Sequence, residues 1–320
     1  MIYIKNENSF EKLESWDELL QREGFQKVVD LSGKTLSDAF GYYELPNKVP
    51  CGKKNCRTNH FKGVLVVTED GVETNIGHDC GFAAFGLKFD QLATELTKQA
   101  NYHRLLIAVK KAKSEIFSWY KKKAKLESGK PSLKELAHKL LDAKDPNVIG
   151  RAAYDSLKKM AGSNNGKVII SRRKTDTEID IAEVMSQKTS SRGDELLPKK
   201  PRYEDVLIGN VLNADCLLND YDVSILFERD VRGVLEELSA ADPDSMHQRK
   251  LTRLGVRVSR LEERISFISD RIYRARIFLT QENLQPLFAK INAQRNVSQK
   301  DKNLFSNFID SLPDRADSQG

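Results

Sequence analysis

Residues 51–81 read CGKKNCRTNHFKGVLVVTEDGVETNIGHDCG, and the fold of the first third of the chain turns on them. Cys51, Cys56, His60, His78 and Cys80 flank two short apolar runs, so three of the four cysteines and two of the five histidines share one window. Gly63-Val64-Leu65-Val66-Val67 enters the turn signal Thr68-Glu69-Asp70-Gly71 and returns through Val72-Glu73-Thr74-Asn75-Ile76, the pattern of a β-hairpin. If Thr68 pairs with Val72, facing residues sum to 140 and His60 stands against Cys80; a slip of one residue sets Phe61 there instead. Cross-strand neighbours lie about 4.5–5.5 Å apart at Cβ, close enough to share one ion.

Thiolates and imidazoles in that arrangement predict a structural zinc site, closed by four protein ligands around a tetrahedral ion. The expected ligands are Cys51, Cys56, Cys80 and His60, with His78 as the alternative fourth. Gly52 and Gly81, each just after a cysteine, suit tight backbone turned toward sulfur. In outline the stretch resembles the zinc-ribbon and zinc-knuckle class of site, over about a tenth of the chain. Cys-x4-Cys-x3-His is knuckle-like, whereas His78-x-Cys80 is tighter than the Cys-x-x-Cys of a ribbon, so the resemblance is to a kind of site. Reduced thiols buried as small apolar residues are the plain alternative. Met1 to Trp16 is polar and charged with no apolar signal core, so a cytoplasmic, reducing compartment is expected and disulfides are not. Cys216 stands alone in an apolar stretch and reads as core.

A chain of 320 residues is long enough for two or three domains. The expected class is mainly α, with a small α+β zinc-stabilised N-terminal module and a C-terminal antiparallel, coiled-coil-like helical hairpin. The boundaries are 1–88 for the zinc module, 89–185 for a basic helical region, 186–202 for a Ser-, Lys- and Pro-rich linker, 203–312 for the hairpin and 313–320 for a disordered tail. Within them, a helix is expected over Phe10–Gln21, a strand over Ala39–Leu45 and a long helix from Phe89 to Leu126. Ser132-x-x-Glu135 is a capping box, and Asp145-Pro146 opens a further helix. Val168–Ser171 with Glu178–Val184 is expected as a small strand pair. No apolar run approaches the ~20 residues of a membrane span.

The net charge of +6 is unevenly spread: residues 1–48 carry nine acids and six bases, residues 96–165 sixteen bases and six acids. That excess points to a polyanionic partner for the middle of the chain. Lys110, Lys111, Lys113, Lys121, Lys122, Lys123 and Lys125 surround Phe117, Trp119 and Tyr120, a pattern that stacks on unpaired bases while cations hold the backbone. Helical spacing reads the same aromatics as core residues.

Leu251, Leu254, Val258, Leu261, Ile265, Ile268, Ile272, Ala275 and Leu279 recur at spacings of three and four, which predicts one long helix with Val223–Leu238 as its antiparallel partner. Lys250, Arg253, Arg257, Arg260, Arg264, Arg271 and Arg274 line up beside that seam over about 36 Å, enough to track phosphates along one turn of duplex. Acids of the upstream helix would instead pair with them across the hairpin. A phosphate-binding glycine loop, a dinucleotide fingerprint and a His-Glu-x-x-His helix are all missing from the sequence, and Glu178-Ile179-Asp180 is too little for a nuclease. The expectation is therefore a nucleic-acid-binding protein, for DNA or RNA, without catalysis of its own. The competing expectation is a scaffold for a protein partner or a homodimer through the C-terminal helices.

Overall fold

Along one strand, Val64 and Val66 are buried toward one layer and Leu65 toward another, so the hairpin belongs to a sheet covered on both faces. The computed structural model describes residues 1–6, 9–56, 58–181 and 203–315. Strands β1 (Ile2–Lys5), β2 (Phe10–Leu13), β3 (Leu36–Pro50), β4 (Asn59–Thr68) and β5 (Glu73–Ile76) form an antiparallel sheet in the order β2-β1-β3-β4-β5. Val64 faces Ile76, Leu65 Asn75, Val66 Thr74 and Val67 Glu73, which is the register read from the sequence. Gly71 closes the turn with a φ of 80°, a left-handed conformation that favours glycine.

Helix α1 (Trp16–Leu20) starts where Ser15 caps it, accepting from the Glu18 amide at 3.2 Å; the first part of the expected Phe10–Gln21 helix is strand β2. Helix α2 (His78–Ser114) begins inside the cysteine window, well before Phe89, and Gly86 kinks it with a φ of 62°. Phe89, Ala93, Leu96 and Ala100 recur at helical spacing and are buried. Glu115 departs from helical geometry, so the expected helix to Leu126 is two, with α3 (Ile116–Glu127) starting afresh.

The chain divides into two units. One joins Met1–Glu115 to Glu237–Ser259 and contains the sheet, α1, α2 and α9 (Gln248–Ser259). The other joins Ile116–Glu236 to the chain from Arg260 onward. It contains α3, α4 (Leu133–Asp142), α5 (Pro146–Ile149), α6 (Arg151–Ser163), β6 (Lys167–Arg173), β7 (Tyr203–Asn210), α7 (Val223–Phe227), α10 (Leu261–Phe278), α11 (Gln281–Ala293) and α12 (Gln299–Asp310). A π-helical turn, Glu228–Arg232, links α7 to α8 (Gly233–Ala240), which spans the division. The Ser132–Glu135 capping box and the Asp145 cap with Pro146 behind it are both present. The chain is mainly α, with a small antiparallel sheet.

This division differs from the linear one expected. All nine seam residues from Leu251 to Leu279 are buried, but Arg260 (φ −105°, ψ 2°) separates α9 from α10. Helix α9 packs on α2, where Gly255 lies against Leu105, while α10 packs on α3, α4 and α7. A heptad seam specifies which face is buried and leaves its partner open, so the expected continuous hairpin is not what forms. Strand β6 pairs with β7, and the described part of the expected second strand, residues 178–181, is helical. Glu178 sits instead in a helical segment that begins at Asp176 and is capped by Thr175, whose hydroxyl accepts from the Glu178 amide at 3.3 Å. The expected linker 186–202 and residues 316–320 lie outside the described residues, as does Val184. No helix among the described residues is long and apolar enough to cross a membrane.

Candidate metal centre and nucleic-acid interface

The loop after β3 and the first turn of α2 bring Cys51, Cys56 and Cys80 together, with all three Sγ atoms within 4.8 Å of one another. Cys56 and Cys80 are 3.4 Å apart at sulfur, and neither is in a disulfide. The loop is held by its own backbone. The Cys51 amide donates to Thr58 O at 3.2 Å, the Gly52 amide to Asn75 O at 2.8 Å and the Cys56 amide to Lys53 O at 3.0 Å. Gly81 follows Cys80 because a Cβ there would enter the Phe89 ring.

Four thiolates on a tetrahedral zinc stand about 3.8 Å apart, from a Zn–S bond of about 2.3 Å. The sulfurs are therefore at the spacing that one ion needs. A hydrogen bond from the Thr58 amide holds the Cys56 thiol below its ordinary range. Burial pushes the Cys80 thiol up to about 12. Adjacent thiols without a cation titrate apart in this way, and a bound divalent ion deprotonates its thiol ligands outright. Soft sulfur donors of this number fit a metal ion.

The expected fourth ligand is not in the group. His60 Nδ1 lies 2.8 Å from the Tyr43 hydroxyl, and its Nε2 is buried without a hydrogen-bond partner among the described residues. Burial lowers the His60 pKa. His78 has a side chain 60% exposed, and its Nε2 lies 3.1 Å from an Asp90 carboxylate oxygen. The β4–β5 ladder that would set His60 opposite Cys80 ends at Ile76, because Gly77 turns the chain into α2. Tyr43 and Asn75, which the sequence reading passed over, form a buried polar pair: the Asn75 amide donates to the Tyr43 oxygen at 3.2 Å and to Pro50 O at 2.8 Å. Cys216 is buried, its thiol pushed up to about 12 by burial.

The basic residues fall into two groups. Lys110 pairs with Asp244 at 2.5 Å, Lys113 donates to Ala241 O, Lys122 pairs with Glu262, and Lys123 with Glu127 at 2.9 Å. Arg253 and Arg257 share Glu237, at 2.9 and 2.5 Å. Arg264 stands 4.0 Å from Asp230. Arg271 stacks on Tyr221 and Phe267, at 3.5 and 4.3 Å from the ring centroids. Arg274 donates to Asp215 and the Tyr221 hydroxyl, both at 2.8 Å. By contrast, the side chains of Lys111, Lys121, Lys125, Lys250 and Arg260 have no polar partner among the described residues. On α3 the aromatics part company. Trp119 is half-buried, but Phe117 is 86% exposed and Tyr120 is exposed. At 100° per residue, Phe117, Tyr120, Lys121 and Lys125 share the outer face of that helix.

Comparison with protein-family models, with curated proteins and with solved structures found no match to this chain.

Proposed function

We propose that this is a nucleic-acid-binding protein whose N-terminal sheet unit is locked by one zinc ion and whose strand-contacting face is the outer side of α3. The observation that carries the reading is the 86% exposure of Phe117 on a lysine-bearing helix. Phe117 and Tyr120 are both exposed and stand together on the outer face of the helix. Beside Lys121 and Lys125 they offer a stacking platform with cations for the backbone, the combination that binds unpaired nucleic acid with little sequence preference. A groove of about 750 Å³ between α3 and α10 adjoins this face, with Lys122, Lys125, Ser269, Tyr273 and Arg276 on its walls. Five of the seven C-terminal cations are engaged within the fold, so the reading assigns phosphate contact to α3 and a structural role to Arg253, Arg257, Arg264, Arg271 and Arg274. Zinc is favoured over harder cations because the donors are thiolates.

The test is fluorescence anisotropy of a labelled single-stranded oligonucleotide at low salt. Wild-type protein is expected to bind, and Phe117→Ala to lose about 1–3 kcal/mol of that affinity. No binding by wild-type, metal-loaded protein would overturn the reading.

A further inference from the structure

We infer that His60 Nε2 is the fourth ligand of the cysteine site, aimed by a buried Asn75–Tyr43 pair. This deepens the metal reading above and rests on it.

Three observations meet at this nitrogen. His60 Nε2 is sealed from solvent with no hydrogen-bond partner among the described residues, and buried polar atoms are nearly always completed by protein, water or an ion. The other ring nitrogen is already held, 2.8 Å from the Tyr43 hydroxyl. Tyr43 is fully buried and is fixed in turn by the Asn75 amide at 3.2 Å. A metal-bound histidine characteristically has its second nitrogen fixed by such a partner, which sets tautomer and ring orientation. Asn75 also holds Pro50 O at 2.8 Å, the carbonyl just before Cys51, so one amide positions both the imidazole support and the first thiol.

The third observation is the place of the ring. A Cβ at Gly77 would stand 3.0 Å from His60 Cδ2 and 3.3 Å from Nε2. The imidazole therefore lies against the backbone that starts α2, three residues before Cys80. Glycine at this position lets the ring in. His78 offers no equivalent: it is exposed, and Nε2 is engaged by Asp90. His60 lies outside the set of ligand atoms within 4.8 Å of one another, so zinc binding would draw the ring onto the three sulfurs, Nε2 giving its lone pair to the ion and Nδ1–H donating to the Tyr43 oxygen.

Cobalt(II) replaces zinc in such sites and reports its ligands through d–d bands. Wild-type protein loaded with cobalt is expected to give the spectrum of three sulfurs and one nitrogen. His60→Ala should shift those bands and weaken binding at least about 10–100-fold, and Tyr43→Phe should weaken it within that range without changing the ligand set. His60→Cys should restore tight binding with a four-sulfur spectrum, which keeps the test open if His60→Ala folds poorly. His78→Ala should leave spectrum and affinity unchanged. If His60→Ala and His60→Cys both keep the wild-type spectrum, the inference is overturned while the three-cysteine site stands. If wild-type protein takes up no cobalt, the metal reading itself has failed.

Discussion

Cys56 Sγ and Cys80 Sγ lie 3.4 Å apart across 24 residues of chain, because the β4–β5 hairpin returns the start of α2 to the loop that follows β3. The sulfurs meet through folding, so a metal on them would tie the knuckle, the sheet and the long helix into one cooperative element. Bound metal then adds folding energy to that unit. Zinc is expected at about one ion per chain by elemental analysis of protein purified without chelator. Cys80→Ser should lose the ion and lower the first melting transition, as should chelator on the wild type. Metal-free protein with an unchanged melt would contradict the site.

Gly81→Ala tests the packing behind the site. The added methyl would enter the Phe89 ring, and Phe89 is fully buried between sheet and helix. Overpacking of this kind costs about 1–3 kcal/mol, measured by urea unfolding. A neutral substitution would mean that Phe89 has room to move.

Low pH should weaken the same unit through His103. Burial, then the nearby Lys110 charge, lowers its pKa, and its Nδ1 is buried without a hydrogen-bond partner among the described residues. The unfolded histidine takes up its proton near pH 6.5, while the folded one resists. Between those two pKa values the unfolded state binds more protons, so stability is fully present above about pH 6.5 and declines as pH falls through the folded value. His103→Gln should flatten the fall in melting temperature between about pH 7 and pH 5. An equal fall in variant and wild type would assign the effect elsewhere.

Much of this architecture was legible locally. The hairpin register, the Ser132–Glu135 box, the Asp145-Pro146 start and the nine buried seam residues all follow from short-range periodicity and capping. What the sequence did not disclose depends on tertiary choice. Nothing near Arg260 announces that the seam divides there, or that α9 finds α2. Strand β7 pairs with β6 across a long separation that no local signal encodes. Phe117 fits an apolar helical pattern and yet faces water, since periodicity cannot tell which residue of a short amphipathic helix is left outside. The three cysteines were readable from their spacing. The Tyr43–Asn75 support was not, because each is an ordinary strand residue until the sheet sets them side by side.

The C-terminal arginines separate structure from binding. Arg274 donates to Asp215, whose side chain is 14% exposed, and to the Tyr221 hydroxyl. Arg274→Ala strands that carboxylate and should cost about 1–3 kcal/mol. Oligonucleotide affinity measured below the melt should stay at the wild-type value. Lost affinity with an intact melt would return this arginine to the nucleic-acid interface.

The central claim is that α3 presents a stacking and phosphate-binding face, and its most direct measurement is a salt series on one double variant. Wild-type protein and Lys121→Glu/Lys125→Glu are titrated with a labelled single strand across a range of salt concentrations. Both lysines lie on the outer face with no polar partner among the described residues, so the melt should not change. The account predicts weaker binding and a slope of log K against log salt that flattens by roughly 0.7 for each lysine removed. Identical affinity and slope in the double variant would contradict it.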